Sequence, residues 1–143
     1  MVFKEEVINK LVSLCESAYA DGEIPVAAAI VDKDCNIISF SSNKRQNDFC
    51  VLNHAEISAI VDAEKSLGDW RLNGYCLIST LEPCDMCSAV IKESRLDKVF
   101  YFLDRSSPYI YGNDLIVKSK ILDFPLVNDK LFNLLTSFFK DKR

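Results

Sequence analysis

The sequence predicts an α/β fold: a three-layer α/β/α arrangement around a central mixed sheet of roughly five strands, built as a single domain over residues 1–143. Three observations carry that expectation. Short runs rich in β-forming residues alternate with longer segments whose apolar residues recur at helical spacing. The run Val26 to Val31 is apolar throughout, as expected of a strand covered on both faces. The strand-like segments Tyr75–Leu81 and Lys98–Leu103 are separated by a helical one, a connection that makes neighbouring strands parallel.

From Phe3 to Tyr19, apolar residues fall at Phe3, Val7, Leu11, Leu14, Cys15 and Ala18, a helical period that Asp21-Gly22 ends. Val26–Val31 is a buried strand, Asp32 to Asn36 a turn, and Ile37–Ser42 the returning strand of a hairpin, followed by a polar loop from Asn43 to Asp48. His54 opens a helix with Ile57, Ile60, Val61 and Glu64 on one partly apolar face, closed by Gly68. After the strand Tyr75–Leu81, Pro83 stands at a helix start, where its missing N–H is no loss. That helix runs to about Ser94. Lys98–Leu103 is a strand, 104–114 a polar loop with Pro108 and Gly112, and Leu115–Val117 a further strand. An amphipathic helix from about Asn128 to Lys140 closes the chain.

Composition narrows the function. A chain of 143 residues that is 49% apolar and 27% charged is globular rather than disordered. Its longest apolar stretch, Val26–Val31, falls far short of the roughly 18 residues that cross a bilayer. The start, Met-Val-Phe-Lys-Glu-Glu, lacks the pattern of a signal peptide, so the expected location is the cytoplasm, away from membranes. In that reducing compartment the six cysteines are thiols or metal ligands before they are disulfides. With one histidine and four glycines, a His-rich metal site, a P-loop and a Gly-x-Gly-x-x-Gly fingerprint are excluded.

Two short elements carry chemistry together: His54-Ala55-Glu56 and Pro83-Cys84-Asp85-Met86-Cys87. Cys84 and Cys87, three apart at a helix start, share one face of the first turn, where free N–H groups stabilise thiolates. One imidazole added to two thiolates makes a zinc site with three protein ligands and a fourth position left for water. Zinc-activated water has a pKa of about 7, so a neighbouring Glu56 can accept its proton and pass it on. Glu56 lies two residues after His54. In mid-helix the two would diverge, so the site requires two helix N-termini to meet. Taken alone, His54 reads as a capping or surface histidine and Cys84/Cys87 as a redox pair; neither explains Glu56.

These residues resemble the cytidine deaminase superfamily and, within it, the bacterial tRNA-specific adenosine deaminases. The likeness runs through Glu23-Ile-Pro-Val26, Asn43, His54-Ala-Glu56-Ile57, Arg71-Leu72, Thr80-Leu-Glu-Pro-Cys-Asp-Met-Cys87, Ser94-Arg95, Val99-Phe100, Asp104 and the ending Leu134 to Phe139. The chain departs from the family pattern at Ala27, where glycine is usual, and in the loop 105–113. The resemblance implies one zinc ion per subunit on His54, Cys84 and Cys87, with Glu56 as proton shuttle. It implies that Asn43 hydrogen-bonds the base or ribose, that Val26 and Phe139 enclose the nucleotide, and that the N–H groups of Ala55 and Cys84 face the attacked carbon. Asp104 is the remaining residue it places at the substrate. It further implies a homodimer that converts adenosine to inosine at the wobble position of a tRNA anticodon loop.

Two other readings stand beside this one: a deaminase of guanine, cytosine or a related small molecule, and a zinc-stabilised binding module. Glu56 argues against the last, because a structural zinc has no use for it. Cys15, Cys35, Cys50 and Cys76 read as small apolar residues. Phe132, Leu135, Phe138 and Phe139 read mostly as core packing, and Tyr109 and Tyr111 as loop tyrosines able to stack on bases. The net charge of −4 conceals an asymmetry. Residues 1–103 hold 10 basic and 16 acidic side chains, residues 104–143 hold 7 and 5. A nucleic-acid contact would therefore be a local patch, with Lys118, Lys120, Lys140, Lys142 and Arg143 at the basic end.

Overall fold

The computed structural model describes residues 1–106 and 115–141. The order of elements is α1 (Glu5–Ala20), β1 (Ala27–Val31), β2 (Ile37–Ser42), α2 (Ala55–Leu67), β3 (Cys76–Leu81), α3 (Asp85–Glu93), β4 (Lys98–Leu103), β5 (Lys118–Lys120) and α4 (Pro125–Asp141). The strands form one mixed sheet in the order β2-β1-β3-β4-β5. β1 is antiparallel to both β2 and β3, and β3, β4 and β5 run parallel. This is the expected architecture.

Strand β1 shows why the sheet is covered twice. Successive side chains of a strand point to opposite faces. Ala27, Ala29 and Val31 accordingly pack with Val7, Leu11 and Cys15 of α1 and Leu131 of α4. Ala28 and Ile30 pack with Ala59, Ile60 and Ala63 of α2 and Ile91 of α3. Every residue of β1 is buried, hence the unbroken apolar run. Large side chains such as Phe102, Leu11 and Ile60, all essentially inaccessible, each contribute about 1.5–3 kcal/mol through burial.

Several boundaries differ from expectation. The fifth strand is Lys118–Lys120, not Leu115–Val117. It pairs only with β4, Val99 opposite Lys118, so as an edge strand it carries lysines rather than an apolar pattern. Val117 is 88% exposed. α4 begins about a turn earlier than expected, at Pro125, whose fixed φ suits a first helical position. Pro83 stands just outside α3, because Cys84 is the cap. On α2, Ile57 and Ile60 face the core but Val61 is exposed, and small residues Ala55, Ala59 and Ala63 let the helix lie close on the sheet. Most of the loop 104–114, with Tyr109 and Tyr111, lies outside the described residues, as do Lys142 and Arg143. Among the described residues no helix is long and apolar enough to cross a membrane.

Candidate active site

Two helices begin at the same point in space. His54 is the N-cap of α2 (φ −72°, ψ 148°) and Cys84 the N-cap of α3 (φ −74°, ψ 176°), both with extended backbone. This is the meeting of helix N-termini that the His-x-Glu spacing required. α3 then turns once and returns Cys87 beneath Cys84. The His54 Nδ1 atom lies 3.4 Å from Cys87 Sγ and 3.7 Å from Cys84 Sγ. The three donor atoms all fall within 4.8 Å of one another.

The donor set fits zinc. Tetrahedral bonds of the usual Zn–N and Zn–S lengths separate nitrogen from sulfur by about 3.6 Å, and the two distances found bracket that value. Protonation supports the same reading. Cys84 is held far below an ordinary thiol, at about 4, chiefly by its hydrogen bond with Cys87 and further by that with His54, against the effect of burial. The same Cys84–Cys87 hydrogen bond, with burial, pushes Cys87 up. The hydrogen bond to Cys84 raises His54. The pair of sulfurs thus shares one proton where a divalent cation would displace it.

Glu56, the second residue of α2, is 5% exposed. Burial pushes its carboxyl up, partly offset by a hydrogen bond with Cys87. Glu56, His54 and Cys84 line a cavity of 380 Å³. Val26, Asn43, Ala55, Asp104 and Phe139 line the same cavity, so every substrate-contact residue expected from the sequence is gathered there. Asn43 is buried, and its Oδ1 accepts a hydrogen bond from Arg45 N–H (3.0 Å), leaving Nδ2 without a partner among the described residues. Asp104 pairs with Lys120 at 2.6 Å, which holds its carboxyl below the usual range.

Several lining residues were not foreseen, among them Phe132, Glu82 and Arg45. Phe132 is 56% exposed and Phe139 45%, so the reading of these two as core packing fails; only Phe138 of that phenylalanine set is buried. Their seven-residue spacing places them on one face of α4, a signal present in the sequence but shared with core positions. Glu82 lines the cavity, pairs with Lys118 (3.1 Å) and accepts the Arg105 N–H (3.1 Å), tying the 104–106 segment to β3. Arg45 also lines it, and nothing in the sequence sets this cation apart from its neighbours.

Residues 1–103 match the family model described as the cytidine and deoxycytidylate deaminase zinc-binding region. A protein of Rickettsia bellii (strain RML369-C) described as a tRNA-specific adenosine deaminase is 44% identical over 87 residues, 60% of this chain and 60% of that protein. The chain spans about three-fifths of the length of the curated relatives it matches. Among solved structures, one from a study of A-to-I editing by tRNA:A34 deaminases at the wobble position of transfer RNA aligns with a TM-score of 0.79 and 26% identity, covering 92% of this chain and 100% of that one. A guanine deaminase from Bacillus subtilis aligns with a TM-score of 0.64 and 31% identity, covering 71% and 66%.

Proposed function

The chain belongs to the cytidine and deoxycytidylate deaminase zinc-binding family, and on that premise we propose that it hydrolyses adenosine to inosine at the wobble position of a tRNA anticodon loop, releasing ammonia. One observation carries the chemical part: the Glu56 carboxyl is buried beside the His54, Cys84 and Cys87 donors on the wall of a nucleotide-sized cavity. The tRNA part is supported by the likeness to the Rickettsia protein and to the tRNA:A34 deaminase structure.

His54, Cys84 and Cys87 would hold the zinc, which would supply the Lewis acidity that lets water ionise near neutral pH. Glu56 is placed to accept one proton of the attacking water as the water oxygen bonds to carbon 6 of the adenine, and to deliver that proton to ring N1. The second proton of the water then passes through Glu56 to the amino group. The C6–N bond breaks, ammonia leaves, and a carbonyl remains at carbon 6 with N1 protonated. Asn43 Nδ2, unpartnered among the described residues, donates to the substrate, and Val26 and Phe139 exclude water from the base. An anticodon loop suits such a pocket because its nucleotide can leave the stack at little cost. We also take the working form to be the homodimer that the family resemblance implies.

The similarity to a guanine deaminase makes a free base the second reading. The zinc-loaded protein incubated with tRNA and, separately, with adenosine, guanine and cytosine distinguishes them. Inosine at the wobble position, with ammonia, is the expected result. Ammonia from guanine or cytosine with tRNA unchanged would overturn the tRNA assignment.

A further inference from the structure

An active site that takes a nucleotide must meet a phosphate, yet three lysines of the C-terminal region are held in ion pairs. Lys118 pairs with Glu82, Lys120 with Asp104 and Lys130 with Glu16. Arg45 differs. It lines the cavity, is half-buried, and forms no ion pair with any described residue. None of the acidic residues sharing the wall forms an ion pair with it: Glu82 and Asp104 are bound to lysines, and Glu56 is buried with a hydrogen bond to Cys87.

Arg45 is also held in place. Its N–H donates to Asn43 Oδ1 (3.0 Å) and its carbonyl accepts from Cys50 N–H (3.1 Å). The next two N–H groups, of Gln46 and Asn47, donate to the buried carboxylate of Glu23 at 3.0 and 2.7 Å. Lys44 N–H donates to the Asn53 carbonyl, so the loop is anchored immediately before His54 as well. The backbone that carries Arg45 is thus fixed at several points, and the planar fork of a guanidinium matches the oxygens of a phosphate.

We propose that Arg45 binds a phosphate of the nucleotide whose base enters the cavity, and so selects a phosphorylated substrate over a free base or nucleoside. This rests on the reading that the cavity takes a nucleotide. The phosphate can come from an RNA backbone or from a free nucleotide, and the recognising chemistry is the same. Such a contact exists before and during the reaction, so it acts on KM more than on kcat.

The test compares zinc-loaded wild type, Arg45→Gln and Arg45→Lys. The probes are an anticodon stem-loop with adenosine at the wobble position, the same RNA with neutral methylphosphonates flanking that adenosine, adenosine 5′-monophosphate, and adenosine. Arg45→Gln is expected to raise KM for the stem-loop about tenfold and to lower the salt slope of log(kcat/KM) by about 1. Arg45→Lys should keep the salt slope and recover part of the affinity. The methylphosphonate RNA should cost wild type the same factor and leave Arg45→Gln no worse. A phosphate effect confined to adenosine 5′-monophosphate would keep the Arg45 assignment and overturn the tRNA substrate. An unchanged KM and salt slope in Arg45→Gln would overturn the assignment while deamination stands. Absence of turnover on every probe would overturn the proposed reaction. Anisotropy of the labelled stem-loop then decides the Arg45 question by itself: weaker, less salt-dependent binding by Arg45→Gln supports it, and equal binding defeats it.

Discussion

His54 and Cys84 occupy the same position in two different helices: each is an N-cap, neither side chain caps its helix, and the two meet at 3.7 Å. Ser, Asp and Asn are favoured at this position because their oxygen bonds an orphan N–H, worth about 0.5–2 kcal/mol. Here both caps are given up so that imidazole and thiolate can face one another. The metal site is thus built at the expense of helix stability, and binding the metal offsets that cost.

The trade is measurable. In excess chelator, Cys84→Ser should be at least as stable as chelated wild type, because serine restores the cap of α3. With zinc added, the order should reverse, since one ligand is gone. Calorimetry with and without zinc reads both. A chelated variant clearly less stable than chelated wild type would show that Cys84 stabilises the fold without metal.

Glu56→Gln keeps shape and removes the proton acceptor. Turnover is expected to fall by about 10²–10⁴, while zinc content stays at one per chain. Stability should not fall, because burial disfavours the carboxylate that the change removes. Single-turnover assays beside metal analysis check this. Loss of zinc along with activity would assign Glu56 to the metal site instead.

The site was legible in the sequence because its spacing is local. A helix cap at His54, a second cap at Cys84 and one turn to Cys87 can be read from three and four residues at a time. The double-faced core was legible for the same reason, since β1 is apolar at every position. What stayed hidden depends on distant partners. β5 pairs on one side and reads Lys-Ser-Lys, with its lysines answering Glu82 and Asp104. Glu23 looks like an ordinary surface acid, yet it is 1% exposed and bonded to N–H groups more than twenty residues later.

That carboxylate gives a further expectation. Glutamine at position 23 can accept at only one of the two places where Glu23 now accepts, and it sets an NH₂ against a backbone N–H. The loss should be about 1–3 kcal/mol, concentrated in the loop that carries Arg45. Amide exchange at Gln46 and Asn47 should quicken, and KM should rise more than kcat falls. A uniform loss of protection across the sheet would mean that Glu23 supports the whole fold rather than this loop.

Cys15 sets an alkaline limit on stability. It is fully buried, with Sγ 3.6 Å from Thr80 Oγ1, and burial pushes its thiol from 9.0 to about 12. Below pH 9 both folded and unfolded chains hold the proton. Between the two values the unfolded chain has lost it and the folded chain has not, so each step up in pH favours unfolding. The slope is at most about 1.4 kcal/mol per pH unit. Cys76, also raised by burial, acts in the same direction. Denaturant midpoints from pH 8 to 11 should therefore fall less steeply in Cys15→Ala than in wild type, even though the variant starts lower. Parallel curves would remove Cys15 from the titration.

The phenylalanines of α4 separate structure from recognition. Phe138 is 8% exposed and meets Tyr19 edge-on with centroids 6.4 Å apart, whereas Phe132 and Phe139 are about half exposed and line the cavity. Truncating a buried phenylalanine costs about 3–5 kcal/mol, so Phe138→Ala should unfold at markedly lower temperature. Phe132→Ala should cost little stability. If the cavity takes an unstacked nucleotide, an exposed ring is worth about 1–3 kcal/mol per stacked base, so Phe132→Ala should instead weaken stem-loop binding by about tenfold or more. Thermal melts and anisotropy on the same samples separate the two effects. A Phe132→Ala protein that melts early but binds normally would return that ring to the core, where the sequence alone had placed it.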